Sequence, residues 1–212
     1  MMDNKTIVIP CAGMGKRLGL NKPKALVEID GKTLIRRNLE LLKDCKDVRV
    51  VVGYKAQDVI EKVLSYRKDV IFVFNRDYEN TGTGASVSQA SKYANEYVIT
   101  IDGDLLVHPD DIKKVLEYPT EFAAGTDAGT DNPVLMTIKD NKVVDFSREY
   151  GDFEWTGVCQ FNSLTTAPTE GHTYYLMLNK MPLDFLYIRT KEIDTPNDYE
   201  KAEKWVKNHY SD

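Results

Sequence analysis

Ile7-Val8-Ile9-Pro10-Cys11-Ala12-Gly13-Met14-Gly15-Lys16-Arg17-Leu18-Gly19-Leu20-Asn21-Lys22-Pro23-Lys24 is the stretch that decides how this chain is read. A short β-branched run ends in a glycine-rich loop that carries Lys16, Arg17, Lys22 and Lys24. Glycines let backbone N–H groups come close to an anion, because no Cβ stands in the way. Arginine and lysine add a charge that N–H dipoles alone cannot supply. A loop of this kind after a first strand reads as a polyphosphate cradle. Two familiar phosphate loops do not fit. A P-loop would need Ser or Thr after Gly15-Lys16, where Arg17 stands, and a glycine where Pro10 stands. The dinucleotide fingerprint fits at Gly13 and Gly15, but its third glycine is displaced by Leu18.

Outward from the loop, apolar runs at 5–10, 48–52, 70–74 and 97–101 alternate with helical patterns at 33–42, 57–65 and 85–93. Near-continuous apolar strands separated by amphipathic helices predict an α/β chain with a parallel sheet between helices. In such sheets ligands sit at the carboxyl ends of the strands. The cradle falls there, and so does Asp102-Gly103-Asp104. Beyond a helix at 110–116, the runs at 120–124, 134–138, 142–146 and 155–161 alternate more and suggest mixed or antiparallel sheet. A helix at 173–181, a strand at 185–189 and a closing helix at 197–207 complete the prediction.

Composition bounds the function. The chain has 212 residues, 42% hydrophobic and 29% charged, with a net charge of −5. That suits one domain, 1–212, with a nucleotide-binding half at 1–108 and an acceptor-binding half at 109–212. The basic loop is local on an acidic body, which argues against a nucleic-acid binder and for a small polyanion. Cys11, Cys45 and Cys159 lie far apart and suggest neither zinc nor disulfides; Cys11, inside the cradle, is expected to be an inert buried thiol. No apolar run approaches the ~20 residues of a membrane span. Met1-Met2-Asp3-Asn4-Lys5 is expected to enter a strand directly, with a cytoplasmic location by default. The oligomeric state stays open, a homodimer among the options.

Ala12-Gly13-Met14-Gly15-Lys16-Arg17-Leu18, a spacer, then Pro23-Lys24 resembles the signature loop of GT-A-like nucleotidyltransferases: the sugar-1-phosphate nucleotidyltransferases and the phosphocholine cytidylyltransferases. The resemblance implies a Rossmann-like three-layer α/β/α sandwich with a mixed, mostly parallel central sheet. It implies that Ala12, Gly13, Met14, Gly15 and Lys16 cradle an NTP. Arg17 would hold the β- and γ-phosphates, and Lys24 would bridge the α-phosphate and an acceptor phosphate. Asp102-Gly103-Asp104 resembles the family's acidic strand end, so Asp104 would bind Mg²⁺ and Asp102 the ribose. Glu192-Ile193-Asp194-Thr195-Pro196-Asn197-Asp198-Tyr199 resembles its late Asp-Thr-Pro-x-Asp-Tyr segment. Thr195, Pro196 and Asp198 there are plain helix-start chemistry, which does not require Asp194; the resemblance implies that Asp194 is the second metal contact. Thr81-Gly82-Thr83-Gly84 looks like the loop whose backbone groups read the nucleobase.

The acceptor half resembles the family less. The usual Glu-Lys-Pro is replaced by Ser147-Arg148-Glu149-Tyr150, so Arg148 is the candidate phosphate cation. Trp155 could join Tyr150, Asp152, Phe153 and Glu154 in a cage for a quaternary ammonium, and Gly157 would let a substrate lie on the sheet. The expected reaction is Mg²⁺-dependent transfer of an NMP, CMP before GMP or UMP, from an NTP to a small phosphorylated acceptor. Guanylyl or uridylyl transfer to a sugar-1-phosphate, and a catalytically silent nucleotide-binding module, are the alternatives.

Overall fold

The computed structural model describes residues 4–210, so the expected entry of Met1–Asp3 into the first strand lies outside the described residues. β1 (Lys5–Pro10) is buried along its whole length. β2 (Glu28–Ile29) and β3 (Lys32–Thr33) form a small hairpin. Asp30 (φ 50°) and Gly31 (φ 71°) make its turn, both in the left-handed region that such two-residue turns require. Thr33 then caps α1 (Leu34–Leu41) by accepting the Arg36 N–H. β4 (Val48–Val52), α2 (Ala56–Leu64), β5 (Ile71–Phe74), α3 (Thr83–Ala90) and β6 (Tyr97–Thr100) follow the predicted alternation.

α3 stops three residues before the predicted end. Arg49 takes the carbonyls of Ala90, Lys92 and Tyr93 at 2.7, 2.8 and 3.0 Å, satisfying the end of the helix, and Tyr93 turns left-handed at φ 56°. β7 (Leu105–Val107), absent from the sequence reading, precedes α4 (Pro109–Glu117) and β8 (Phe122–Thr126). β9 (Leu135–Lys139) and β10 (Lys142–Ser147) turn through Asp140 (φ 49°) and Asn141 (φ 59°). The long β11 (Phe153–Asn162) comes next. The expected helix at 173–181 is two 3-10 turns, Thr173–Leu176 and Leu178–Lys180, joined at Met177; Thr173 is drawn out of register by bonding to Thr83, and Pro182 disfavours helix at Met181. β12 (Leu183–Tyr187) and β13 (Thr190–Glu192) lead to α5 (Pro196–His209), which Thr195 and Asp198 start with a reciprocal capping box.

Among the described residues nine strands form one sheet in the order β5-β4-β1-β6-β11-β8-β12-β10-β9. β1, β4, β5 and β6 run parallel, as does the β8–β12 pair. Every pairing of β10 with its neighbours β9 and β12 is antiparallel, as is every pairing of β11 with β6, β8 and β9. The sheet is therefore mixed, and "mostly parallel" describes only its first half: β11 enters next to β6 from the opposite direction, and short turns rather than helical crossovers link β9, β10 and β11. Helices cover both faces. Ile7, Ile9, Val50 and Val52 pack on α1, α2 and α4. Val8, Val51 and Val98 pack on Val87 and Ala90 of α3 and on Leu176 and Met177. α5 closes a third cluster over Leu18, Ile29, Leu106 and Ile193.

Candidate active site

A cleft of about 550 Å³ opens over the carboxyl ends of the parallel strands. The loop after β1 forms one wall. Gly15 is left-handed at φ 61°, and a Cβ there would stand 2.7 Å from Cγ of Lys24, so the glycine lets that side chain pass beneath the loop. A 3-10 turn at Lys16–Leu18 presents Lys16 and Arg17, and another at Lys24–Leu26 starts with Lys24. Gly103 donates to the Pro10 carbonyl at 3.2 Å; a Cβ at Gly103 would come within 2.5 Å of Cys11 Sγ, so only glycine lets the acidic turn lie against the cradle.

β13 pairs antiparallel with β7, Glu192 opposite Leu105, and the Ile193 N–H reaches the Asp104 carbonyl at 3.2 Å. That ladder sets Asp194 beside Asp104. Lys24 Nζ lies 2.6 Å from Asp104 Oδ2 and is also hydrogen-bonded to Asp194. Arg17 Nη2 pairs with Asp194 Oδ2 at 2.8 Å, and its side chain is 64% exposed. Burial alone would lower the Lys24 pKa, but Asp104 and Asp194 together outweigh it and raise it, so the ammonium is firmly charged.

Glu192 was missed from sequence. Glu192, Ile193 and Asp194 continue an extended run, so the two acids point to the same side, and this alternation was the available signal. Oxygens of Asp104, Glu192 and Asp194 lie within 4.8 Å of one another. Burial, then Asp104 and Asp194, push Glu192 up to about 9; burial, then Asp104, raise Asp102 well above the carboxylate range. The buried Oδ1 of Asp102 has no hydrogen-bond partner. Four carboxyl groups face two cations here, so the site has room for further positive charge, and its donors are the hard oxygens that a small divalent cation prefers. The donor set fits such an ion.

Thr81, Gly82 and Thr83 line the cleft beside Ala12, Gly13, Gly15 and Lys16, whereas Met14 and Gly84 do not. Gly84 serves packing instead, since a Cβ there would strike Thr169, Gly171 and His172. Three of the loop's four backbone donors are engaged within the fold: the N–H groups of Gly82 and Gly84 go to the carbonyls of Glu170 and Gly171, each at 2.8 Å, and that of Thr81 to Asp77. Cys11 is buried and its thiol is pushed far up by burial and by Asp104, as an inert thiol should be.

Arg148, Trp155 and Gly157 all reach the cleft. Gly157 is left-handed at φ 80°, and a Cβ there would lie 2.4 Å from Asp102 Oδ2, so its immediate service is to admit the Asp102 carboxylate. Trp155 meets Phe146 edge-on at 5.5 Å, and Phe146 stacks on Tyr174. The five-residue cage does not assemble. Phe153 packs on Phe185 and Tyr187, Tyr150 bonds Asp145, and Asp152 accepts from Ile138. Phe153 and Trp155 share one face of β11 and pack against the cluster of Ala123, Met136 and Val143, while Glu154 between them points to the other face. Glu154 is tied to the Gly129–Thr130 loop through both backbone N–H groups and the Thr130 hydroxyl. Residues 130–134, together with His172 and Tyr174, which were unforeseen, complete this end of the cleft.

A strand-one phosphate loop with its cations clasped by acids from two later turns is the arrangement of an NTP transferase. Residues 7–146 match the MobA-like NTP transferase domain, and the chain belongs to that family. It is 26% identical over 147 residues to the bifunctional protein GlmU of Methanocaldococcus jannaschii, covering 67% of this chain and 35% of that protein. Against GlmU of Francisella philomiragia it is 35% identical over 130 residues, 60% of this chain and 28% of the other. The matched segment thus spans about a third of the length of these relatives. Among solved structures, the CTP:phosphocholine cytidylyltransferase LicC of Streptococcus pneumoniae superposes with a TM-score of 0.77 at 21% identity, covering 96% of this chain and 99% of that one. The inositol-1-phosphate CTP transferase of T. maritima gives 0.79 at 21% identity, with 96% of each chain covered. UDP-glucose pyrophosphorylase gives 0.75 at 16% identity, covering 96% and 98%. These likenesses show the nucleotidyltransferase fold. No helix among the described residues is long and apolar enough to cross a membrane.

Proposed function

We propose that this chain transfers CMP from CTP to a small phosphorylated acceptor and releases pyrophosphate. The observation that carries the reading is the convergence of Arg17, Lys24, Asp104 and Asp194, from three separated parts of the chain, on one end of one cleft. An oxygen of the acceptor phosphate forms the new bond to the α-phosphorus. The bond from the α-phosphorus to the bridging oxygen breaks, and pyrophosphate leaves with the electron pair. A phosphate is already anionic near neutral pH, so no general base is required, and catalysis rests on positioning and charge neutralisation. Arg17, largely exposed, would move from Asp194 to the β- and γ-phosphates. Lys24, held charged, would contact the α-phosphate and the incoming phosphate as charge develops between them. Asp104 and Asp194, with Glu192 beside them, would hold Mg²⁺, which when bound supplies charge screening and polarisation of the α-phosphate. Asp102 would face the ribose, and Arg148, Trp155 and Gly157 the acceptor.

Cytidylyl transfer to a small phospho-alcohol is favoured because the Glu-Lys-Pro segment usual in the sugar nucleotidyltransferases is absent. The same reading takes the chain as one three-layer α/β/α domain, 1–212, acting in the cytoplasm on small molecules rather than nucleic acid, as a monomer or homodimer. Pyrophosphate release from each NTP with phosphocholine, other phospho-alcohols and sugar-1-phosphates tests it. Release with CTP and one phospho-alcohol is expected. Release only with GTP or UTP and a sugar-1-phosphate reassigns the substrates, and NTP binding without release under any pairing makes the chain a silent nucleotide-binding module.

A further inference from the structure

We propose that the Ser86 hydroxyl reads the nucleobase, as a hydrogen-bond donor whose polarity Asn75 sets. The inference rests on the nucleotide reading above and assigns a residue that neither the glycine-rich loop nor the family pattern singles out. It starts from the finding that the backbone donors of Thr81, Gly82 and Gly84 are already engaged. With three of the four backbone donors spent, the side chains that line this end of the cleft become candidate readers of the base.

The orientation of Asn75 is forced. The Asp77 backbone N–H can only donate, and it points at Asn75 Oδ1 at 3.1 Å. The amide nitrogen of Asn75 therefore faces the other way, giving one hydrogen to Thr81 Oγ1 and one to Ser86 Oγ, each at 3.0 Å. Thr81 passes its own proton to the Asp77 carbonyl at 2.8 Å, so its hydroxyl is spent. Ser86 is different. Its oxygen is held as an acceptor by Asn75, and its proton has no acceptor among the described residues. Asn75 is 1% and Ser86 3% exposed, and both line the cleft with Ala12, Gly13 and Tyr78. A buried hydroxyl with an unused donor on a ligand wall costs free energy until a ligand acceptor meets it. Thr83, one turn earlier, accepts from the Thr173 backbone N–H at 3.3 Å and the Thr173 hydroxyl at 3.0 Å, but it is exposed, so water can take its own proton.

The matching ligand group is a ring carbonyl of the base. Cytosine presents one and uracil two; adenine has none. A site that hydrogen-bonds a substrate group discriminates against analogues lacking it, because its own group is left unpaired.

Titration calorimetry of the full chain with CTP, UTP, ATP and tripolyphosphate tests this, tripolyphosphate serving as the cradle ligand without a base. Ser86→Ala should weaken CTP and UTP about tenfold while tripolyphosphate changes by less than about twofold. Asn75→Asp should do the same with Ser86 still present, because the new carboxylate oxygen accepts the serine proton and removes the donor. Ser86→Thr should restore pyrimidine binding. Thermal unfolding midpoints show whether each variant is folded. An unchanged CTP affinity in folded Ser86→Ala, or an equal loss for CTP and tripolyphosphate, overturns the assignment while leaving the nucleotide reading intact. If the wild-type chain binds no NTP at all, that reading falls and this inference with it.

Discussion

The backbone N–H of Ile193 donates to the carbonyl of Asp104 at 3.2 Å, and this bond ties the two acidic turns of the site together. It extends the short β7–β13 ladder by one step, and its consequence is that Lys24 finds both Asp104 and Asp194 within reach. The account of the site follows from that clasp.

Lys24 should be indispensable. Lys24→Ala removes a charge aimed at the reacting phosphates, and turnover should fall about a hundredfold or more. The variant also leaves Asp102, Asp104, Glu192 and Asp194 with Arg17 alone for compensation, so its unfolding temperature should drop without divalent ions and recover when Mg²⁺ is added. Steady-state rates and melting curves read both effects. Retention of more than about a tenth of the wild-type rate would contradict the role given to Lys24.

Asp104→Asn and Asp194→Asn should each shift the Mg²⁺ dependence of activity to higher concentration, with the largest effect in the double variant. Each loses one anionic oxygen from a cluster whose oxygens lie within 4.8 Å of one another. A Mg²⁺ titration curve identical to wild type in both single variants would remove these residues from the metal site.

Gly157→Ala should destabilise the protein and impair catalysis together. The residue sits at φ 80°, and the added carbon would stand 2.4 Å from Asp102 Oδ2. The backbone strain alone costs about 1 kcal/mol or more, and Asp102 must move as well. Urea midpoints measure the first effect and the KM for nucleotide the second. An unchanged midpoint would mean that the turn can relax, contrary to the packing described.

Asp111 should govern part of the acid stability. Its buried carboxylate accepts the Arg189 backbone N–H at 3.0 Å, Arg189 Nε at 2.7 Å and Lys114 at 2.6 Å. Burial works against ionisation, but these bonds prevail and hold its pKa well below the usual carboxylate range. A group whose folded pKa is depressed stabilises above its unfolded pKa, near 4, and that stabilisation fades as the pH falls further. Urea midpoints of the wild type should therefore decline below about pH 4. Asp111→Asn should cost about 1–3 kcal/mol at neutral pH and flatten the decline. Equal pH slopes in the two proteins would refute the assignment.

The legible parts of this molecule were those with local signals. The cradle declares itself through Gly13, Gly15, Arg17 and Lys24, and the strands through apolar runs such as Ile7–Ile9 and Val50–Val52. Thr195 and Asp198 announced the start of α5 and form the capping box. What sequence did not disclose depends on contacts between distant segments. β7 and β13 are three residues each, too short for a periodicity, and exist by pairing with each other. Glu192 was lost with β13. The clasp of Glu170 and Gly171 on Gly82 and Gly84 engages two backbone N–H groups of the loop expected to read the base, because nothing in Gly-Thr-Gly says which carbonyls will arrive. Trp155 does line the cleft, but the cage drawn around it from sequence neighbours does not assemble, because Tyr150, Asp152 and Phe153 bond to or pack on Asp145, Ile138, Phe185 and Tyr187 instead.

The central claim is direct attack of the acceptor phosphate on the α-phosphorus of the nucleotide. It is tested most directly by supplying CTP with an acceptor whose phosphate oxygens carry ¹⁸O and following the products by ³¹P NMR. The account predicts ¹⁸O in the bridge of the new nucleoside diphosphate linkage and unlabelled pyrophosphate. Label in the released pyrophosphate, or free CMP with no linked product, would contradict it.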